Sequence, residues 1–530
     1  MLHPYLEWVQ VVAMESWDVV VVGSGVAALR AAIAALDAGA TVSVFDDVGP
    51  GSAQSRADDT GIATSLTESD FHEHHQDTTT AGQGLEAPAS SSRCASSVTT
   101  LIELERWGLN LRRDNSGAPS LAAQPGHSTP RVATVGDVTG RETLRILEEQ
   151  CMKRGIPRKH DIRPLQLVVE NQRVRGLIIL DIQTGMIAPI QAKSVIFAGE
   201  GHDGLWTEGG SSGSKTALAY RAGARLSGME FMGWHPLKIT NSEMYLSLSL
   251  LDAGARLRKA NGEDIELVGG LTDACRSMGD DEHILDARGV PSSLRPWFNT
   301  SAQHLADRFG IDLWTTVIPV TPSPRYSIGG IAVDNEGRVL IAEDLWLTGL
   351  YAAGASADTG MHGSDILAGN WTLDELLTGS SAGTSAGHWA PSVKHGGRTL
   401  LMDASFDAEE KIEAMTEVKE GMTVGALTAS LHRTMNANMG LTRDVIGLTT
   451  AATQIEQLST SPIRLSDDSP IMNTELITAL DAGCMLELAR AMVSAAESRE
   501  ESRGSHHRSD YPELGDQTSP ILISVDGMTL

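Results

Sequence analysis

Apolar and polar positions fall into a few clear rhythms along this chain. Trp17-Asp18-Val19-Val20-Val21-Val22 is a short β-branched run without alternation, the pattern of a strand buried on both faces. It leads into Gly23-Ser24-Gly25-Val26-Ala27-Ala28 and an alanine-rich helical segment lasting to Gly39. A second strand over 41–45 ends in Asp46, with Asp47 behind it. Far downstream, 436–446 and 479–498 carry apolar residues at helical spacing and predict amphipathic helices.

The glycines allow backbone N–H groups and the helix N-terminus to approach a pyrophosphate, and Ala28 permits close helix–strand packing. Asp46, about 20 residues on, is placed to accept a hydrogen bond from a ribose hydroxyl. Strand, G-x-G-x-x-A turn, helix, strand and terminal acid in register predict an α/β fold with a Rossmann-type dinucleotide-binding domain. The motif does not separate FAD from NAD. It lacks the Gly-Lys-Ser/Thr of a P-loop, which argues against nucleotide hydrolysis.

At 530 residues the chain is too long for one simple core and should divide into about two to four domains. A net charge of −27 argues against nucleic acid, since neutralising phosphates takes a basic stripe. The acidity is spread along the chain and reads as a soluble surface. No apolar run approaches the ~20 residues needed to cross a bilayer. Segment 1–16 carries glutamates and lacks a basic region and cleavage site, so no signal peptide is expected. Cys94, Cys151, Cys275 and Cys484 are far apart, form no C-x-x-C pair and read as free thiols in a reducing compartment. His72-Glu73-His74-His75 is the one metal-like grouping, but its spacing suits a single exposed segment rather than convergent ligands, and no metal is expected.

Near the C-terminus, Arg499-Glu500-Glu501-Ser502-Arg503-Gly504-Ser505-His506-His507-Arg508-Ser509-Asp510-Tyr511-Pro512 resembles the segment that closes the helical domain in flavoproteins of the succinate dehydrogenase/fumarate reductase family. The resemblance recurs along nearly the whole chain. Asp59-Thr60-Gly61-Ile62-Ala63 is similar to the glycine turn passing under the flavin, and Pro125-Gly126-His127-Ser128 follows. Ala192-Lys193-Ser194-Val195-Ile196-Phe197-Ala198-Gly199 resembles the strand returning to the FAD domain. Glu230-Phe231-Met232-Gly233-Trp234-His235-Pro236 resembles the entry to a capping domain and Arg325-Tyr326-Ser327-Ile328-Gly329-Gly330 the exit. Leu350-Tyr351-Ala352-Ala353-Gly354 and His362-Gly363-Ser364-Asp365-Ile366-Leu367-Ala368-Gly369-Asn370 complete the flavin site.

The resemblance implies FAD held by Gly23, Ser24, Gly25, Ala27, Ala28, Asp46, Asp47, Gly61, Ile62, Ala198, Gly199, Gly201, Gly354, Asn370, Thr372 and Leu373. It implies an N-terminal extension (1–16), an FAD-binding domain from 17–228 and 317–395, a capping domain at 229–316, a helical bundle at 405–500 and a C-terminal segment at 501–530. A parallel sheet would then need its later strand, 349–353, beside the first.

The expected site departs from the family pattern. His235 matches the family's substrate histidine. The family's R-G-E-G segment should follow the acid corresponding to Asp252, but Asp252-Ala253-Gly254-Ala255-Arg256-Leu257 is several residues shorter. Arg256 is then either a nearby substitute or a solvated strand residue. The histidine preceding Tyr-x-x-Gly-Gly is Arg325, and the arginine of N-R-L-G-G-N is Ile366. Losing that arginine removes a bidentate partner that contributes ~1.5–3 kcal/mol. Arg325 either replaces it from the opposite loop or is a surface arginine of a site that no longer takes dicarboxylates. Ala355 and Ser214 stand where the family has acidic residues, Glu200-Gly201 where it has a glycine pair, and Gln54 where a histidine bonds the flavin, so FAD is expected to be noncovalent. The expected clamp has His235 and Arg325 facing the flavin from opposite domains, with Asp252 or Arg256 nearby.

The first reading is the flavoprotein subunit of a succinate dehydrogenase/fumarate reductase-like complex. It would pass electrons from a small dicarboxylate through FAD to a separate iron–sulfur subunit. It would be cytoplasmic, or held on the cytoplasmic face of a membrane by partner and anchor subunits. L-aspartate oxidase, a close relative, is the alternative enzyme, towards which Asp77-Thr78-Thr79-Thr80-Ala81-Gly82-Gln83-Gly84-Leu85 leans, while Arg508 leans to the dehydrogenases. A non-catalytic homologue kept as a scaffold is the alternative from another class.

Overall fold

Val19, Val20, Val21 and Val22 are wholly buried, and strands covered on both faces have no polar side to alternate with. The computed structural model describes residues 14–48, 60–279, 281–525 and 527–529. The strand Glu15–Val22 pairs in parallel with Val42–Phe45 on one edge and with Ile187–Phe197 on the other. The later strand Leu345–Ala352 pairs in parallel with Ile187–Phe197, with Leu350 opposite Val195 and Ala352 opposite Phe197. It therefore lies in the same sheet but not beside the first strand as expected, because both edges of the first strand are already taken. Ile162–Glu170 and Arg173–Asp181 fold back antiparallel onto the same sheet.

The helix Val26–Asp37 starts from the glycine turn and packs on the helix Asn370–Trp389. Gly379, Gly383 and Gly387 make that packing close: a Cβ on them would lie 2.4, 2.2 and 2.6 Å from the backbone oxygens of Ala27, Ala31 and Ala35. Ala27 and Ala28 are buried in this seam. The two stretches of the large sheet are thus locked together beneath the dinucleotide turn.

A second, four-stranded antiparallel sheet forms the cap, in the order Met232–Ile239, Ile318–Ser327, His283–Asp286, Arg256–Lys259. Its core of Leu237, Leu257, Leu285, Phe298 and Val320 is separate from that of the large sheet. Ile318–Ser327, which lies after 316, belongs to this sheet.

The C-terminal helices are Val424–Asn438, Val445–Ser459 and Thr474–Ser498. The expected single helix over 436–446 is broken. Asp444 caps the next helix by accepting the Gly447 N–H at 2.7 Å, and Arg443 donates its N–H to the His507 carbonyl at 2.9 Å. That local competition with the helix is what cap residues offer. The closing segment is buried and ionic: Arg499 lies 2.8 Å from Glu230, Arg503 2.9 Å from Glu501 and Arg508 2.6 Å from Asp510. The chain then adds the strand Leu522–Ser524 to Leu226–Ser227, at the entry to the cap. Among the described residues no helix is long and apolar enough to cross a membrane.

Candidate active site

The parallel strands end together at Val22, Phe197 and Ala352, and the residues following them form the mouth of the site, where open α/β sheets bind ligands. Gly23 has φ +137°, and a Cβ there would lie 2.3 Å from the Ala198 carbonyl oxygen, so only glycine lets the chain turn this tightly. Gly25 caps the helix that follows, and Ser24 is buried between them. Asp46, at the end of the second strand, accepts the Val48 N–H at 3.2 Å with Oδ1. Its Oδ2 is buried without a hydrogen-bond partner among the described residues. Burial pushes the Asp46 carboxyl up to about 7. Asp47 is different: Lys215 Nζ lies 2.6 Å and Arg163 Nη1 2.7 Å away, and these cations hold it well below the usual carboxylate range. Gly23, Ser24, Asp46, Gly199 and Lys215 line a cavity of about 140 Å³.

Glycines also shape the other end. A Cβ on Gly61 would lie 2.5 Å from Val132, one on Gly201 2.2 Å from the Ser327 hydroxyl, and one on Gly354 2.7 Å from the Ala27 methyl. Ile62 is buried in the strand opposite Ala133, and the next residue, Ala63, donates its N–H to the Gly369 carbonyl at 3.0 Å. Asn370, Thr372 and Leu373 are buried in the first turn of the long helix. The Asn370 amide is already engaged, with Oδ1 2.7 Å from His74 Nε2 and Nδ2 donating to Thr78 at 2.9 Å. His74 is therefore a buried positioning group rather than part of one exposed segment, while His72 is exposed. Among the described residues no group of side chains is arranged to hold a metal ion. Gln54 and Asp59 lie outside the described residues.

On the cap, His235 and Arg325 are both buried and sit on adjacent antiparallel strands, with His235 opposite Ser323 and Trp234 opposite Pro324. They thus approach from the same sheet, which corrects the expectation of opposite domains. The Arg325 guanidinium stacks 4.1 Å from the Tyr245 ring centre, and His235 meets the same ring edge-on at 5.2 Å. His235 Nδ1 accepts the Leu237 N–H at 3.1 Å, so in the neutral ring Nε2 carries the proton. Burial, and then the Arg325 charge, lower the His235 pKa well below its ordinary value and keep the ring neutral. Asp203 is also buried. Its carboxyl is pushed up to about 6 by desolvation, against the pull of Arg325.

Asp252 and Arg256 are elsewhere. Asp252 Oδ1 accepts the Ala123 N–H at 3.0 Å, and the Arg256 side chain is 63% exposed beside Asp264. Both line a cleft of about 630 Å³ with Gln124 and His127, to which neither His235 nor Arg325 contributes. Arg256 is a solvated strand residue: its neighbour Leu257 points into the cap core and period-two alternation sends Arg256 outward. Ile366 is wholly buried in an apolar cluster with Phe231, Tyr326, Ala355 and Trp371. Sequence reasoning missed Asp203, Tyr245, Arg163 and Lys215, whose partners lie far away along the chain.

A glycine turn at the strand ends, a buried carboxylate oxygen without a hydrogen-bond partner among the described residues and a cap bearing a buried histidine and arginine fit a dinucleotide-binding fold with a capping domain. The comparisons narrow this. Residues 18–371 match the FAD binding domain model, and residues 428–519 match the fumarate reductase flavoprotein C-terminal model. The chain belongs to the succinate dehydrogenase/fumarate reductase flavoprotein family; it is an FAD-dependent oxidoreductase. It is 28% identical over 534 residues to the 8-methylmenaquinol:fumarate reductase flavoprotein subunit of Wolinella succinogenes, covering 94% of this chain and 86% of the relative. It is 29% identical to the L-aspartate oxidase of Mycobacterium leprae, covering 97% and 96%. In fold it resembles the FrdA subunit of E. coli quinol fumarate reductase, with a TM-score of 0.89, 23% identity and coverage of 97% and 96%.

The residues present fit FAD. The Asp46 Oδ2, without a hydrogen-bond partner among the described residues, suits a ribose hydroxyl, and Gly23 lets the chain turn tightly against the Ala198 carbonyl at the start of the helix. Asp47 is spoken for by its two cations and would act on the cofactor only through them.

Proposed function

We propose that this chain is the flavoprotein subunit of a succinate dehydrogenase/fumarate reductase-like complex. It moves hydride between a small dicarboxylate and noncovalently held FAD, and its electrons pass to a separate iron–sulfur subunit. The observation that carries this reading is the buried pairing of His235 with Arg325 around the Tyr245 ring on the cap. Arg325 precedes Ser327 by two residues on one strand, and the Ser327 hydroxyl accepts the His202 N–H at 2.8 Å, against Gly201.

FAD, when bound, supplies the hydride acceptor or donor. Arg325 draws a substrate carboxylate in competition with Asp203. His235, neutral, donates Nε2–H to a substrate oxygen in a site from which the cap excludes water. In domain terms the reading takes 17–228 with about 328–395 as the FAD-binding unit, 229–327 as the cap and the helices after it as the bundle. This is supported by the membership of the two sheets. A cytoplasmic location, through partners at a membrane face, is part of the same reading; the flavoprotein-subunit names of its relatives support the partners.

A non-catalytic flavoprotein is the second reading. It is favoured by Ile366, whose side chain fills the clamp position with hydrocarbon next to Tyr326 and Trp371. Titration of FAD-loaded protein with succinate, fumarate and L-aspartate separates the readings. A shift of the flavin spectrum with succinate or fumarate is expected. A response to L-aspartate alone transfers the assignment to an L-aspartate oxidase-like enzyme, and no response to any of them overturns the enzyme reading. Acid precipitation should release all the flavin; a yellow pellet would contradict the noncovalent assignment.

A further inference from the structure

Lys215 stands where a helix least favours a cation. It is the second residue of the helix Ser214–Arg221, whose first turn holds no acidic side chain, and the positive end of the helix dipole repels an ammonium there. Its stem lies across Gly199: a Cβ on that glycine would be 2.9 Å from the lysine Cγ and Cδ. Gly199 in turn adjoins Gly23, since a Cβ on Gly23 would lie 3.0 Å from the Gly199 N. The lysine side chain is thus threaded over the dinucleotide turn.

Its ammonium ends on Asp47, 2.6 Å away. Arg163 also holds Asp47, at 2.7 Å, while reaching Asp481 at the same distance on the other side. The helix capped by Gly213 starts at this cavity, and Gly23 and Ser24, just before the helix capped by Gly25, line it as well. In the same wall, the buried Asp46 Oδ2 lacks a partner among the described residues. A cavity at helix N-termini, with a buried ammonium whose one carboxylate has a second cation and an acceptor oxygen without a hydrogen-bond partner among the described residues, suits a ligand carrying adjacent phosphates and a ribose.

Resting on the family's use of FAD, we propose that Lys215 is this chain's cation for the FAD diphosphate, held by Asp47 until the cofactor enters. Uptake is then an ion exchange at one ammonium: the lysine leaves Asp47 for a phosphate oxygen, and Asp47 keeps Arg163. No bond is made or broken other than these ion pairs and hydrogen bonds.

Affinities of FAD, ADP and riboflavin for the apoprotein, measured by fluorescence or calorimetry at low and high salt, test this. Lys215→Met should weaken FAD and ADP binding by about 10-fold or more, since one charged hydrogen bond is lost, and leave riboflavin unchanged. Lys215→Arg should retain most of the affinity. FAD binding to the wild type should fall more steeply with salt than binding to Lys215→Met. Asp47→Asn should bind FAD as tightly as wild type or more tightly, because it frees the lysine. A Lys215→Met affinity within about twofold of wild type overturns the proposal. So does Asp47→Asn weakening FAD as much as Lys215→Met, which would make the pair merely structural. If Lys215→Met does not fold, Lys215→Gln against Lys215→Arg gives the same comparison. A wild-type protein that binds no FAD overturns the family's cofactor for this chain instead.

Discussion

Replacing Arg325 by methionine removes a buried guanidinium on which three groups depend. It stacks on Tyr245 at 4.1 Å, it lowers the pKa of His235 and it opposes the burial of Asp203. The stacking alone is worth ~2 kcal/mol when desolvated. A substrate carboxylate would lose a charged hydrogen-bonded pair worth ~1.5–3 kcal/mol, so dicarboxylate Kd should rise by roughly 10- to 150-fold. Asp203 provides an independent readout. Its folded pKa, about 6, lies above the ordinary 3.8, so its contribution to stability is full at low pH and is lost as pH rises through about 6. Without Arg325 that folded pKa rises further, and the loss extends to higher pH. The stability deficit of Arg325→Met relative to wild type should therefore be larger at about pH 8 than at about pH 5. Flavin-perturbation titrations give the first quantity, and denaturant midpoints at the two pH values give the second. A Kd within about twofold of wild type, with a pH-independent deficit, would show that Arg325 neither binds the substrate carboxylate nor offsets Asp203. Arg325→Lys, which keeps the charge but not the planar fork, should fall between the two.

Three further outcomes follow from the packing and the buried charges. Gly23→Ala should lose flavin and stability by about 1–3 kcal/mol, because its Cβ would meet the Ala198 carbonyl at 2.3 Å and its φ is +137°; a normal flavin-to-protein ratio would contradict this. Arg499→Met should cost about 3–5 kcal/mol, read by denaturation and by faster hydrogen exchange in 521–524, since it strands the fully buried Glu230. Arg499→Met combined with Glu230→Leu should recover part of that cost, and a single-variant cost under about 1 kcal/mol would be inconsistent. Asp46, with its folded pKa raised to about 7 from 3.8, should make the apoprotein lose stability as pH rises from about 4 through 7. Asp46→Asn should flatten that slope, and an unchanged slope would show that another group sets it.

Much of the fold was legible because it was local. The unbroken Val19–Val22 run is a strand covered on both faces, Gly23 is a turn no other residue tolerates, and Asp46 is buried just past the end of the neighbouring strand. The closing segment was legible for another reason: its arginines and acids are buried together, so the pattern is constrained residue by residue. Strand order was not, since a doubly covered strand says nothing of which neighbour covers it, and the returning strand took the place expected for 349–353. The helix expected over 436–446 failed because apolar spacing continues across Asp444, while that side chain caps a new helix. The site was legible only in part. His235 and Arg325 do meet, but Asp252 was placed by its position along the chain, and tertiary packing turns it to Ala123. Lys215 and Asp47 are 168 residues apart, and no local pattern joins them.

The most direct test of the proposed function is anaerobic mixing of FAD-loaded protein with succinate, followed by fumarate, while the visible flavin band is recorded. Succinate should bleach the band and fumarate restore it, with both steps slowed in Arg325→Met. A flavin fully bound yet unchanged by succinate, and left reduced by fumarate after chemical reduction, would contradict the proposed function.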